Sequence, residues 1–251
     1  MTTRIPSDIS AVFFDMDETL VRHTRTGYEI CQDVFRAFSD TLAPVDEETF
    51  ISTLATKAGD LWKMMFDGVV DGEVARPYTF INTLRTLEAD ESLGEALLES
   101  FESLLVESTV LADGALDVLR AFRDAGIRTG IVTNGYTAMQ TRKLEHHRLV
   151  ERVDFVLISE AVGSHKPDRG IFEEALRRAD VDPGSALFVG DNLKNDIAGA
   201  EAAGIASVLI DPKGERRKRL EEDPSLVRPT HIIEQLEETL ALAGLGDRVG
   251  G

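Results

Sequence analysis

Apolar and polar positions follow two different periods in two parts of this chain. Residues 28–109 carry helical patterning with almost no strand signal, which predicts a module of four or five helices. From Asp113 onward, short apolar runs typical of buried strands alternate with helical segments, and the run "AVFF" at 11–14 adds one strand before the helical module. The pattern therefore predicts two differently built regions, of which the second is a βαβ-type arrangement.

Several elements of the second region can be bounded from local signals. Asp113 is a plausible N-cap for a helix that ends at Gly126, where a residue tolerating positive φ is favoured. A further helix is predicted over about 136–149. The remaining segments, in chain order, are the strand "RTGIVTNG", the strand "FVLISE", the helix "DRGIFEEALRRAD", the strand "ALFVGD", the helix "NDIAGAEAAG", the strand "ASVLID", the short "HII" and the helix "EQLEETLALAG". Alternation of this kind predicts an α/β fold with a doubly wound, Rossmann-like parallel sheet covered by helices.

Composition limits the classes of function. The chain has 251 residues, 43% apolar content and a net charge of -18, so it can bury a core, but a phosphate polymer or an anionic membrane would be repelled by most of its surface. It has no apolar run of the ~20 residues that a membrane span needs, and its N-terminus lacks the pattern of a signal peptide. We therefore expect a cytoplasmic, acidic protein with no nucleic-acid or membrane partner. The single cysteine, Cys31, excludes an intramolecular disulfide framework and any multi-cysteine metal site.

Polar residues follow several of the predicted strands. Asp15 and Asp17 follow the first strand, Thr133 and Asn134 follow the second, and Asp191 follows "ALFVG". In a doubly wound sheet, ligands bind at the carboxyl ends of the strands, so these side chains should converge there. Each signal is weak alone: a D-x-D pair is more often a cap or turn, and "VTN", "HKP" and "GDNLKND" each read equally as turns. Chance assembly of all four in these positions is much less plausible.

The charges sharpen this interpretation. Asp15, Asp17, Asp191 and Asp196 would bring four carboxylates into one cleft, where like charges oppose folding unless a cation lies among them. Mg²⁺ suits carboxylates, waters and a substrate phosphate. Lys166 then supplies a positive charge for the substrate anion, with the Thr133 hydroxyl as a further donor.

These motifs together resemble the haloacid-dehalogenase-like (HAD) superfamily, in its phosphatase branch with a helical cap. The D-x-D-x-T motif matches Asp15, Asp17 and Thr19, the strand-end hydroxyl matches Thr133, and the lysine matches Lys166. The G-D-x-x-x-x-D motif matches Gly190, Asp191 and Asp196. The match covers about residues 8–22 and 111–235. The resemblance implies a core domain of residues 1–22 and 111–251 and a helical cap domain of residues 23–110.

The resemblance also implies roles. Asp15 would attack phosphorus and form an aspartyl-phosphate, and Asp17 would act as general acid and then base. Mg²⁺ would be held by the Asp15 carboxylate, the Asp17 backbone carbonyl and Asp191, with Asp196 completing the metal site by ordering a bound water. The phosphoryl oxygens would be held by Thr133, Asn134 and Lys166.

Glu18 is a departure from the resemblance, because many members of the superfamily have glycine at this position. We expect it to be tolerated, and not to be a third catalytic acid. A phosphatase of a small phosphate ester is favoured. A phosphomutase of the same superfamily is the alternative, and a non-catalytic phospho-acceptor signalling module ranks far behind because it would be shorter and lack the helical insertion.

Overall fold

The chain divides into two compact units, one formed by Met1–Arg22 with Leu111–Gly251 and the other by His23–Val110. The computed structural model describes residues 4–246 except 67, 68, 70 and 71. Within that part, no helix combines the length and the apolar character that a bilayer span requires.

The unit His23–Val110 is helical. Its described α-helices are α1 (Gly27–Ala37), α2 (Ser39–Leu42), α3 (Glu47–Phe66), α4 (Gly72–Thr86) and α5 (Gly94–Glu107). The start of α1 is fixed by a capping box, in which Thr26 Oγ1 accepts from Glu29 N at 3.2 Å and Glu29 Oε2 accepts from Thr26 N at 2.7 Å. Buried apolar side chains from several of these helices, including Ile30, Phe50 and Leu97, give the unit a core of its own.

The other unit contains a six-stranded parallel sheet. The strands of the described chain are β1 (Ala11–Phe14), β2 (Val21–His23), β3 (Thr109–Leu111), β4 (Arg128–Thr133), β5 (Phe155–Ile158), β6 (Ala186–Gly190), β7 (Ala206–Ile210) and β8 (His231–Ile233). The sheet order is β5-β4-β1-β6-β7-β8, and β2 pairs separately with β3. The predicted α/β fold class is thus confirmed, and β1 lies between β4 and β6 at the centre of the sheet.

Helices cover the sheet on both faces. They are α6 (Ala115–Asp124), α7 (Thr137–His146), α8 (Ser159–Val162), α9 (Arg169–Ala179), α10 (Gly199–Ala202), α11 (Glu215–Glu222) and α12 (Glu238–Leu242). Because side chains alternate along a strand, β1 contributes Val12 and Phe14 to one apolar cluster and Ala11 and Phe13 to another. All four residues are fully buried, which explains why this strand reads as an unbroken apolar run.

Several predicted boundaries differ from the structure. Asp113 does not cap α6: Gly114, with φ +72°, precedes the helix, and Asp113 forms an exposed ion pair with Arg22 at 3.0 Å. Gly126 has φ +74°, as expected for the residue that follows a helix. The segment "NDIAGAEAAG" contains a π-helical turn over Leu193–Ala198 before α10. The last helix is only five residues long, and α7 ends at His146.

Candidate active site

The carboxyl end of β1 places Asp15 directly beside the end of β6. Asp15 N donates to Val189 O at 2.9 Å, which extends the ladder between these strands by one residue. The chain then turns sharply, with Leu20 N and Val21 N both donating to Met16 O at 2.9 Å. Glu18 adopts φ +56° in this turn, a left-handed conformation that glycine reaches without steric cost. This conformation gives a physical reason why glycine suits the position.

A buried lysine connects two of the predicted carboxylates. Lys166 Nζ lies 2.7 Å from Asp15 Oδ1 and 2.7 Å from Asp196 Oδ1. Burial opposes the charge on Lys166, but Asp15 and Asp196 outweigh that cost and raise its pKa to about 12. The pKa of Asp15 is raised well above its usual value by burial and by the charge of Asp196, against the opposing effect of Lys166. The lysine therefore stays charged and holds both acids in place.

Asp196 reaches this cluster because Gly190 leaves room for it. A Cβ atom on Gly190 would lie 2.5 Å from Asp196 Cγ, so a side chain at 190 would displace the carboxylate. The second oxygen of Asp196 accepts from Asn192 N at 2.9 Å. Asn192 Oδ1 in turn accepts from Lys194 N at 3.0 Å and Asn195 N at 2.9 Å, which caps the π-helical turn. The turn and the acidic cluster thus share one hydrogen-bond network.

Asp191 is paired with an arginine from α11. Arg216 Nη2 donates to Asp191 Oδ2, and Arg216 Nε donates to Asp191 O at 2.7 Å. The arginine is itself oriented by the buried Asp211, whose Oδ1 accepts from Arg216 N at 3.2 Å. Burial and the nearby charge of Asp196 raise the pKa of Asp191 to about 6, although Arg216 opposes the shift. The side chains around Asp191 therefore do not fully compensate its charge.

Asp17 has a different environment. Lys143 Nζ lies 2.6 Å from Asp17 Oδ1 and 2.7 Å from Asp17 Oδ2. Gln140 Nε2 lies 2.9 Å from Asp17 Oδ2, 2.6 Å from Thr133 Oγ1 and 3.2 Å from Asn134 O. Both Gln140 and Lys143 lie on α7, three residues apart and so on one face of the helix. The α7 side chains thus connect the second acid of the first motif with the hydroxyl of the second motif.

Asn134 and Lys166 are joined through a reciprocal pair of hydrogen bonds. Asn134 Nδ2 donates to Lys166 O at 2.8 Å, and Lys166 N donates to Asn134 Oδ1 at 2.8 Å. The Asn134 amide thereby fixes the backbone that carries Lys166. Thr133 lies at the end of β4 and is almost fully buried.

The donor set suits a hard cation. Carboxylate oxygens of Asp15, Asp191 and Asp196 all lie within 4.8 Å of one another. The contacts with Lys166 and Arg216 use Oδ1 of Asp15 and Oδ2 of Asp191, so the other oxygen of each acid is not used by those two pairs. Oxygen ligands at this spacing fit Mg²⁺. The carboxylate of Asp17 is directed to Lys143 instead, which is compatible with the expectation that only its backbone carbonyl would contact a metal.

The structure therefore brings all seven sequence-predicted site residues to the carboxyl ends of β1, β4 and β6 or to the loops beside them. Gln140, Lys143 and Arg216 also form side-chain contacts with these residues, and they were not predicted. The first two had a usable signal, because they occupy the buried face of α7 together with Met139 and Leu144. Arg216 belongs to the charge run "KGERRKRLEED", which reads as a solvated segment. That interpretation is wrong for Arg216, whose side chain is half-buried against Asp191.

The fold and the site together define a class: an α/β protein whose parallel sheet presents a lysine-bridged aspartate cluster at its carboxyl edge. The chain belongs to the haloacid dehalogenase-like hydrolase family, whose model matches residues 9–204. The predicted family and the prediction of an enzyme are thereby confirmed.

Two named relatives match most of this chain. The chain is 29% identical over 228 residues to the pyrimidine 5'-nucleotidase YjjG of Escherichia coli, covering 90% of this chain and 94% of that protein. It is 32% identical over 213 residues to the ribulose-1,5-bisphosphate 5-phosphatase of Halopiger xanaduensis, covering 82% and 86%.

Solved structures share the fold. A 2-haloacid dehalogenase from Pseudomonas syringae has a TM-score of 0.71 at 24% identity, covering 94% of this chain and 98% of that one. A HAD phosphatase from Thermococcus onnurineus has a TM-score of 0.66 at 23% identity, with the same coverage. At these identities the likeness shows the fold alone and does not separate dehalogenase from phosphatase chemistry.

Proposed function

We propose that the protein is a Mg²⁺-dependent phosphatase that hydrolyses a small-molecule phosphate monoester through an aspartyl-phosphate intermediate. The observation that carries the proposal is the cluster of Asp15, Lys166, Asp196 and Asp191, in which one lysine bridges two carboxylates and three acids share a metal-sized space. The names of the curated relatives, a nucleotidase and a bisphosphate phosphatase, support the same chemistry.

Two displacements at phosphorus would complete the reaction. Asp15 attacks phosphorus, a bond forms between its carboxylate oxygen and phosphorus, and the ester oxygen leaves with a proton from Asp17. Asp17 then takes a proton from water, the water oxygen bonds to phosphorus, and the bond to Asp15 breaks to release phosphate. Lys166 and the Thr133 hydroxyl stabilise the phosphoryl oxygens as charge redistributes, and Asn134 holds the Lys166 backbone for that purpose.

Residues of the acidic cluster would hold the metal. Asp15 and Asp191 would provide carboxylate oxygens from the cluster that they form with Asp196. The Asp17 backbone carbonyl would be a further ligand, and Asp196 would order a bound water. When bound, Mg²⁺ neutralises negative charge on the transferring phosphoryl group. Burial, and after it the charge of Asp196, raise the pKa of Asp191, which is the environment in which a carboxylate would gain from a bound cation.

Dehalogenase chemistry is less well supported than phosphatase chemistry. Halide leaves carbon without a proton, so a second acid two residues after the nucleophile has no task in dehalogenation. Here Asp17 occupies that position and is held by both Lys143 and Gln140. A phosphomutase would use the same aspartyl-phosphate and return the phosphoryl group to its substrate, so the ratio of water attack to substrate attack separates the two.

The substrate is proposed to be a small phosphate ester such as a nucleoside monophosphate or a sugar phosphate. The net charge of -18 supports small anions over nucleic acid, because a local positive site can outweigh a screened distant field. A cytoplasmic location stays a prediction.

A metabolite panel tests the proposal. Purified protein is assayed for phosphate release from p-nitrophenyl phosphate, pyrimidine nucleoside monophosphates, ribulose 1,5-bisphosphate and glyceraldehyde 3-phosphate, with Mg²⁺ and with excess EDTA. We expect phosphate release from at least one ester in Mg²⁺, none in EDTA, and no chloride release from 2-chloropropionate. Full activity in EDTA would overturn the metal assignment, and efficient metal-free chloride release would overturn the phosphatase assignment.

A further inference from the structure

We propose that Lys143, assisted by Gln140, is a positioning residue that fixes the Asp17 carboxylate for proton transfer to the leaving group. The inference rests on the proposed phosphatase function and adds to it a residue pair outside the four motifs. Both residues belong to α7, a helix that contributes none of the predicted nucleophile, metal or phosphate ligands.

The contacts define the orientation of Asp17. Lys143 Nζ approaches both carboxylate oxygens, at 2.6 and 2.7 Å, and Gln140 Nε2 adds a third contact to Oδ2 at 2.9 Å. One donor spanning two oxygens fixes the position of the carboxylate, and the second donor restricts its rotation. The side chain of Asp17 is thus held from the helix side with three short contacts.

Burial of the lysine argues for a role beyond packing. The Lys143 side chain is only 5% exposed, whereas Asp17 is 29% exposed. A buried ammonium is costly, and an apolar side chain of similar length would fill the same space at lower cost. The charge on Lys143 is therefore explained by its partner, and the partner keeps the solvent access that proton exchange needs.

The α7 helix is itself fixed relative to the motifs. Thr137 N donates to Glu160 Oε2 at 2.6 Å at the start of α7, and Gly135 N donates to Ser159 Oγ at 3.0 Å just before it. Gln140 also contacts Thr133 Oγ1, so one amide sets the spacing between Asp17 and the predicted phosphoryl ligand. A rigid support of this kind matters because a general acid must lie within hydrogen-bond reach of the leaving oxygen.

Leaving groups that differ in their need for a proton distinguish positioning from folding. p-Nitrophenolate leaves without a proton, whereas an alkyl ester oxygen must be protonated before it leaves readily. The ratio kcat/KM reports only the steps up to departure of the leaving group, so hydrolysis of the intermediate does not enter it. We expect Lys143→Met to lower kcat/KM for an alkyl phosphate by about 10- to 100-fold, and for p-nitrophenyl phosphate by less than about threefold.

Controls separate the possible failures. Lys218→Met makes the same substitution on a lysine that is 74% exposed, and it should leave both values unchanged. In an Asp17→Asn background, Lys143→Met should cause no further loss with the alkyl ester, because its effect acts through Asp17. If the Lys143→Met variant does not fold, Lys143→Gln keeps a polar side chain at this buried position, removes the charge that contacts both Asp17 oxygens, and should show the same leaving-group dependence.

Equal losses for both esters, or a full additional loss in the Asp17→Asn background, would overturn the inference while leaving the phosphatase proposal intact. Absence of hydrolysis by the wild-type protein with either ester would instead overturn the proposed function, and the inference would fall with it.

Discussion

Replacing Asp191 with asparagine should stabilise the metal-free protein while removing its activity. The substitution keeps the size of the side chain and removes one negative charge from a cluster that also contains Asp15 and Asp196. Asp191 is 15% exposed, so its charge is poorly solvated. A residue that costs stability in the absence of its ligand is common at functional sites.

The magnitude follows from the pKa. Burial and Asp196 raise the pKa of Asp191 from 3.8 to about 6. At ~1.4 kcal/mol per pKa unit, the ionised carboxylate destabilises the metal-free fold by about 3 kcal/mol at neutral pH. Because the folded-state pKa is the higher one, the stabilisation from the protonated form is complete below pH 3.8 and is lost as the pH rises to about 6. Asparagine is neutral at every pH and avoids this loss.

Urea unfolding of the wild type and Asp191→Asn in EDTA measures the difference. We expect the variant to be more stable by up to about 3 kcal/mol at pH 7.5 and by less than about 1 kcal/mol at pH 4. Asp113→Asn, at a position that is 91% exposed, is the matched control and should change stability at neither pH. Added Mg²⁺ at pH 7.5 should stabilise the wild type more than the Asp191→Asn variant.

A variant that is less stable than wild type at pH 7.5 in EDTA would refute the reasoning. It would mean that the pair with Arg216 contributes more than the burial and repulsion that oppose it. Equal stabilisation of both proteins by Mg²⁺ would exclude Asp191 as a metal ligand.

Three other changes have defined outcomes. Gly190→Ala should destabilise the fold by about 1–3 kcal/mol and lower activity, because its Cβ would lie 2.5 Å from Asp196 Cγ; unchanged urea midpoint and turnover would contradict this packing. Glu18→Gly should stabilise the protein by about 0.5–1 kcal/mol by relieving φ +56°, with Glu88→Gly at φ +53° as the comparison for the backbone effect; a loss of stability would show that the Glu18 side chain contributes more than the strain costs. Asp15→Asn should abolish phosphate release, and near wild-type rates would place the nucleophile elsewhere.

Strand-end chemistry was predictable from the sequence because it depends on local order. Asp15 and Asp191 follow β1 and β6, and Thr133 ends β4. A parallel sheet brings the carboxyl ends of adjacent strands together, independently of the conformation of the loops. β1 and β6 are unbroken apolar runs, AVFF and ALFVG, so the pattern that identifies them as buried strands is clear.

Contacts that depend on tertiary geometry were not predictable in the same way. Arg216 lies 25 residues from Asp191 in a run of four successive basic residues, and only the position of α11 selects it from its neighbours. Similarly, β2 and β3 pair although about 88 positions of the chain separate them. Each strand has three residues, which is too short to show a periodic signal. Gln140 and Lys143 interrupt an otherwise apolar face of α7, and that interruption was the available signal.

Trapping the covalent intermediate tests the central claim most directly. In Asp17→Asn, proton transfer to and from the reacting groups is impaired, a contribution of ~10²–10⁴-fold, so the aspartyl-phosphate should outlive an acid quench. Peptide mapping by mass spectrometry after incubation with p-nitrophenyl phosphate and Mg²⁺ should locate one phosphoryl group on Asp15. Turnover without any phosphoryl adduct, or an adduct on a residue other than Asp15, would contradict the account.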